Sequence, residues 1–558
     1  MATKRIQLAA IPPLIALLAM SVSLPDIAAT TAHAAAATKI LPQSTANCTS
    51  GAAIATENAL ATKAAVHALR QGGNAVDAAV ASALVAGVVA PGSSGLGGGG
   101  FALFFDAHSG ANKFLDFRET APSGFDASAL DVRPLADAER GRAVGVPGEP
   151  KGLYELQHRY GRLPFREVVQ DAQRLAEKGF AIGPHLARVS RGLKNLEVRR
   201  ELSGALGWPK SGLPAGFWLK VPGLSRTLKR YGEEGPNAIV DGAIAKELAQ
   251  TAQAYGSAMS VTDLLSYAPI EREPLRMAFG QFVVVTAPPP SAGGILLLQT
   301  LGKFTAEELR AHRVSDERIH LLAEAYRQSL ADRFAHVGDP AFVKVNVPGL
   351  LRPEYLASRR QAISLDRSDL SPVALPLEMG TSHLSIVDCD GNAVALTTTV
   401  NNAFGSKITA PTSQVLLNDE LDDFGPKASP NAPRAGARPV SSMTPTMVFE
   451  GSELRFVIGG SGGMAISTNV TTTLLAAMVD GMTPRAAVEQ PRFTIVPKTG
   501  ELMLEEQFPT ALDQRLGLRG EQVRRVARGI SAVQFLARGA KGWQAAADSR
   551  KHGAAVSY

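Results

Sequence analysis

Three stretches of the sequence hold residue types at spacings that could do chemistry. Gly459-Gly460-Ser461-Gly462-Gly463 fits G-x-S-x-G, and it lies between a strand-like 454–458 and a helix-like 464–479, where a serine can be presented as an acyl-transfer nucleophile. The acid and base it would need further along the chain are Asp480 and His552, the only histidine after Ser461. Gly95, Gly97 and Gly100 fit G-x-G-x-x-G. A dinucleotide cradle of that form must follow a strand and open a helix, whereas these glycines lead into a strand-like 101–106, so that reading is rejected. In the third stretch, 381–388 reads as a strand, Asp390-Gly391 as a tight turn and 393–400 as the antiparallel partner. That partner ends in Thr397-Thr398-Thr399, with Asn401 next and Asp422-Asp423 a short run later. Threonines alone decide little there, because threonine is a good strand former. The 10 histidines are scattered without H-E-x-x-H or Cys/His pairs, so they read as structural or exposed groups and not as metal ligands.

The elements that must hold these residues follow from periodicity. From 51 onward the pattern is helical: Ala61, Ala64, Ala65 and Ala68 share one face, and Gly72-Gly73-Asn74 supplies a stop. A second, more apolar helix is expected over about 75–89; it is too short to span a membrane and should be buried. Segments 101–106 and 114–118 around Ser109-Gly110 read as a hairpin. The middle, 148–363, is mostly helical, with a Pro/Gly loop at 288–294 leading into another apolar helix. Segment 364–379, with Pro372 and Pro376, reads as an exposed loop.

Composition narrows the class. With 558 residues, 45% hydrophobic and 19% charged, the chain is globular and large enough for one large α/β domain or two ordinary ones. Its formal charge is +6, and basic pairs such as Arg199-Arg200 and Arg524-Arg525 are isolated, which argues against a nucleic-acid footprint. Residues 1–34 read as an export signal cleaved after Ala34, with Lys4 and Arg5, an apolar run at 14–22 and Ala32-His33-Ala34. Its removal takes Lys4, Arg5 and Asp26 with it, leaving +5 and no membrane span. Cys48 and Cys389 are the only cysteines. They cannot build a disulfide framework or a zinc cluster; an oxidising compartment would permit one bridge, but two free thiols are the expected state.

Thr381-Ser382-His383-x-Ser385, then Gly391-Asn392-x-Val394-Ala395-x-Thr397-x-Thr399-Val400-Asn401, ending Phe404-Gly405, resembles the signature of the gamma-glutamyltranspeptidase family. Six further sites resemble that family in its order: 72–79, 97–101, Asp116-Phe117-Arg118-Glu119, 288–294, Arg438-Pro439-x-Ser441-Ser442-Met443-x-Pro445 and Gly462-Gly463. The similarity covers essentially the whole mature chain. It implies an α/β fold, the four-layer αββα sandwich of N-terminal nucleophile hydrolases, formed jointly by two autoprocessed chains. The expected pieces are the signal, 1–34, a large subunit, 35–380, and a small catalytic subunit, 381–558. Threonine must stand first because its hydroxyl is a poor nucleophile without a base, and a free α-amine of pKa about 7.7 to 8.0 can serve on the same residue. In the intact chain that amine is an amide, so the resemblance implies that the Thr381 hydroxyl attacks the Gly380 carbonyl and that the resulting ester is hydrolysed.

Carried over residue by residue, the resemblance makes Thr399 the partner that orients Thr381, and Gly462 and Gly463 the oxyanion hole. A γ-glutamyl group ends in a free α-carboxylate and a free α-ammonium; Arg118 with Ser441 and Ser442 matches the site for the first, and Asn401, Glu420 and Asp423 match the site for the second. The implied substrates are glutathione or other γ-glutamyl compounds, with water, amino acids or peptides as acceptors, in the periplasm or outside the cell. No metal or organic cofactor is implied. Segment 424–437 is short and lacks tyrosine, so the tyrosine-bearing lid of many family members is reduced or missing. The alternatives are a glutaryl or cephalosporin acylase-like relative, a serine hydrolase using Ser461, and a periplasmic γ-glutamyl binding protein that never matures.

Overall fold

A computed structural model describes residues 51–558 apart from 132–133, 194, 210–211, 313–314 and 371–379. The expected export segment, Cys48 and the last part of the expected loop at 364–379 lie outside the described residues. Two antiparallel sheets form the centre. The first has the spatial order β13 (Ala554–Ser557), β1 (Ala53–Thr56), β7 (Gly380–Val387), β8 (Ala393–Asn401), β2 (Gly99–Asp106), β3 (Ala111–Phe117) and β4 (Ile270–Arg272). The second runs β12 (Gly542–Ala547), β11 (Ala532–Gly539), β10 (Glu453–Ser461), β9 (Thr446–Glu450), β6 (Phe282–Thr286) and β5 (Leu275–Phe279).

Side-chain alternation decides the layers. In β2, Ala102 and Phe104 join a hydrophobic cluster with the helices α1 (Ala59–Arg70), α2 (Ala75–Val89), α3 (Glu149–Tyr160) and α4 (Phe165–Lys178). Phe101, Leu103 and Phe105 join a second cluster, which holds the second sheet and the helices α5 (Gly293–Gly302), α6 (Asp316–His336) and α7 (Ala465–Met478). A strand buried on both faces sorts its residues in this way, with a period of two. The result is the expected four-layer α/β sandwich, helix on sheet on sheet on helix. The second helix forms as expected, and all 15 residues of α2 are buried. Asn74 starts it by accepting from the N–H groups of Val76 and Asp77, while the Asp77 carboxylate accepts from Asn74 N–H at 3.0 Å, a reciprocal cap that satisfies otherwise orphaned donors.

Two expectations need correction. Residues 53–56 form a central strand and not the start of a helix; Ala-Ile-Ala-Thr is buried on both faces, so it shows no alternation for a periodicity reading to find. The middle is mostly helical as expected, interrupted at 270–286 by β4, β5 and β6, where Phe-Val-Val-Val-Thr of β6 carries the β-branched bias of a strand. Cys389 is disulfide-bonded and not a free thiol. It sits, half-buried, in the turn between β7 and β8, and Cys48 is the only other cysteine in the sequence.

Candidate active site

The hairpin β7–β8 brings Thr381 opposite Thr399, after which the register shifts so that Asn401 faces Gly380. This bulge re-aims the backbone. Asn401 takes φ 72°, a left-handed conformation that asparagine tolerates better than most residues. Its N–H then reaches Thr399 Oγ1 at 2.8 Å. Thr399 in turn donates to the Gly380 carbonyl at 3.0 Å and lies 3.3 Å from Thr381 Oγ1. A hydroxyl has one proton; because Thr399 gives its proton to Gly380 O, the Thr381 hydroxyl is the donor in the Thr381–Thr399 contact. The carbonyl before Thr381 is thereby polarised, and the same Thr399 oxygen orients the Thr381 hydroxyl by accepting from it. Gly380 has no room for a side chain, since a Cβ would fall 2.2 Å from Asn402 O and 2.4 Å from Asn401 O.

Beyond Thr56 the outer edge of β7 is met by side chains. Lys551 donates to Thr381 O at 2.6 Å and to Glu57 Oε2 at 2.9 Å, while Glu57 Oε1 accepts from His383 N–H at 3.2 Å. Burial pushes the Glu57 carboxyl up, against the pull of Lys551. His383 itself is a strut between the sheets. Ser385 donates to Gln534 O at 3.1 Å, so the His383 Nε2–H donates to Ser385 and Nδ1 accepts from Thr397 at 2.7 Å. Burial lowers His383 to about 3, which keeps it neutral. Gly459 in β10 makes space for this ring: a Cβ there would lie 2.2 Å from His383 Cε1.

A sealed charge cluster lies at the other end of the site. Arg118 is paired with Glu420 and, at 2.5 Å, with Asp423 Oδ2, and its Nε donates to Pro439 O at 3.2 Å. Arg118, Glu420 and Asp423 are 1%, 0% and 4% exposed, so their charges must be balanced locally. An incoming zwitterion could do this by exchange, its carboxylate going to Arg118 and its ammonium to the two carboxylates. Burial pushes the neighbouring Glu119 up to about 7 and Glu149 up to about 8. Asn401 Nδ2 donates to Asp419 O at 3.0 Å, which ties the bulge to the segment carrying Glu420. Ser441 is fixed between Pro290 O at 3.0 Å and Ala292 N–H at 2.9 Å. Arg333, from α6, donates to the Ser442 hydroxyl at 2.5 Å. Periodicity gave no signal for Arg333, and Glu57 and Lys551 were equally invisible.

Gly462 and Gly463 leave β10 with φ 123° and 57° and enter α7 two residues later. At Gly462 a Cβ would sit 2.9 Å from Ser531 Cα, so this loop needs glycine for close approach as well as for its backbone angles. The rival serine constellation is not assembled. Ser461 is 0% exposed, Asp480 is paired with Arg318 at 2.8 Å, and among the described residues no hydrogen bond joins Ser461 to His552. His320, Glu324 and Glu521 converge as metal ligands do, but the Arg327 guanidinium is already paired with both carboxylates, so a cation is in place without a metal.

The family model for gamma-glutamyltranspeptidase matches residues 61–558. The chain belongs to that family. It is 33% identical over 533 residues to the glutathione hydrolase proenzyme of Bacillus subtilis (strain 168), covering 90% of this chain and 91% of that one. It is also 32% identical over 503 residues to the acylase ACY 1 proenzyme of Pseudomonas sp. (strain V22), covering 86% and 89%. Among solved structures, the cephalosporin acylase from Bacillus halodurans matches with TM-score 0.82 and 25% identity, over 91% of this chain and 96% of that chain. Among the described residues, 424–437 contains no helix or strand. With Asn402, Lys407, Asp419 and Asp422 it borders a cleft of about 1090 Å³.

Proposed function

We propose that this chain is an autoprocessing γ-glutamyltransferase and glutathione hydrolase whose nucleophile is Thr381. The Thr381 oxygen attacks the Gly380 carbonyl, the C–N bond breaks, and water hydrolyses the ester, freeing the Thr381 α-amine and a Gly380 carboxylate. In turnover that amine takes the hydroxyl proton while Oγ1 attacks the γ-carbonyl of the donor. The tetrahedral oxyanion meets the N–H groups of Gly462 and Gly463, and the proton passes to the departing amine. Water or an amino-acid or peptide amine then attacks the γ-glutamyl ester and releases Thr381. Arg118, Ser441 and Ser442 hold the donor's α-carboxylate, Asn401, Glu420 and Asp423 hold its ammonium, and the cleft beside Asn402 takes the leaving group or acceptor. Export supplies the compartment, a reading supported by the disulfide at Cys389.

The observation that carries this reading is the Thr399 hydroxyl bonded to Gly380 O beside Thr381 Oγ1. Purified mature protein is expected to contain two chains, the smaller starting at Thr381 by N-terminal sequencing. Thr381→Ala should stay a single uncut chain without amidase activity; an active Thr381→Ala protein would sink the mechanism. The acylase relative favours a second reading, with a glutaryl-type acyl group cleaved by the same threonine.

A further inference from the structure

Strand β7 extends past its neighbour β1. The ladder between them ends at Thr56↔Leu384, three residues short of Thr381, and the partner strand's place is taken by two side chains from opposite ends of the chain. Glu57 is the residue after β1, and Lys551 ends the last turn before β13. Glu57 accepts the His383 N–H at 3.2 Å, Lys551 donates to the Thr381 carbonyl at 2.6 Å, and the two close the clamp at 2.9 Å. The backbone that presents Lys551 is rigid, because the preceding Arg550 is buried and paired with Glu505 and Asp548. On the inner edge, β8 holds the same residues through Thr399↔Thr381 and Thr397↔His383.

We infer that Lys551 and Glu57 are positioning residues for the nucleophile, a role that rests on the reading of Thr381 given above. In the intact chain Thr381 is restrained by its bond to Gly380. Once that bond is gone, Thr381 is a chain end, and chain ends fray unless they are tied down. The β8 ladder secures one edge only. The clamp secures the other, so the Thr381 carbonyl cannot swing and the hydroxyl keeps its direction toward Thr399 and the incoming acyl group. Misplacing a reacting atom by about 1 Å can cost on the order of a hundredfold in rate. The clamp touches Thr381 and His383, and its bonds do not include Arg118, Glu420 or Asp423, so it acts on the reaction rate and not on capture of the donor.

Lys551→Met and Lys551→Arg test this in the full-length protein, with single-turnover release of p-nitroaniline from γ-glutamyl-p-nitroanilide as the readout. In Lys551→Met the maximal acylation rate should fall tenfold or more while the half-saturating donor concentration stays within threefold. In Lys551→Arg, which keeps the charge and the donors, the rate should return to within threefold of wild type. A Lys551→Met protein that stays uncut while Lys551→Arg is cut supports the same role at the earlier step. A wild-type acylation rate in Lys551→Met overturns the inference, as does a loss that Arg does not restore or one carried by half-saturation. Failure of the underlying reading looks different: a wild-type small chain that does not begin at Thr381, whatever the Lys551 variants do.

Discussion

Asp423 and Glu420 share one guanidinium, and this makes the acidic pair a test of which acyl group the site accepts. A glutaryl donor brings the distal carboxylate without the ammonium, so once it takes Arg118 it leaves two buried carboxylates facing no cation. Hydrogen bonds to charged groups are worth about 1.5 to 3 kcal/mol each, so a preference for γ-glutamyl of roughly ten- to a hundredfold per lost contact is expected. Asp423→Asn should therefore lower kcat/KM for a γ-glutamyl anilide far more than for a glutaryl anilide. Comparable kcat/KM for the two donors in wild-type protein would point instead to the acylase reading. Arg118→Ala is the poorer probe. It strands Glu420 and Asp423, and breaking a buried pair costs about 3 to 5 kcal/mol, so lost activity would be mixed with lost fold.

Helix α3 begins with a group whose titration reports on its seat. Glu149 is its first residue, 0% exposed and raised by burial from 4.5 to about 8. Between those values the folded protein holds a proton that the unfolded chain has released, so stability falls as pH rises from about 4.5 to 8. Glu149→Gln keeps the shape without the proton. The difference in Tm between variant and wild type should grow in the variant's favour from pH 5 to pH 8, corresponding to on the order of a few kcal/mol; a difference that stays flat with pH would refute the neutral seat. Glu119, also raised, adds to the shift by repelling a charged Glu149. The elements that were legible in sequence share one property: their signal is local. The β7–β8 hairpin announces itself through Asp390-Gly391 and its β-branched residues, and α2 through its cap and length. β1 has four residues and two buried faces, so it offers no period. The site divides the same way. Thr381, Thr399, Arg118 and Asp423 lie within motifs, whereas Glu57 and Lys551 meet across 494 positions, and no window of sequence contains both.

Across the whole molecule, the order of the first sheet interleaves the two expected subunits. β7 and β8 lie between β1 and β2, so the segments before and after Gly380 alternate within one hydrogen-bonded surface. In the second sheet the two segments meet once, where β6 pairs with β9. Uncut, these strands find one another inside a single chain, whose linkage supplies a high effective concentration. After cleavage the disulfide at Cys389, whose only possible partner in the sequence is Cys48 ahead of Gly380, still ties the two pieces together; once it is reduced, the same sheet can be rebuilt only by two molecules meeting. Under reducing conditions, refolding of uncut Thr381→Ala protein from denaturant should therefore proceed at a rate independent of protein concentration, while refolding of cleaved wild type should slow as it is diluted; identical concentration dependence for both would refute the interleaved order. Maturation thus changes the molecularity of folding wherever the disulfide is reduced. There, a protein that could recover from a transient unfolding in dilute surroundings becomes one whose lifetime is set by how slowly its strands part.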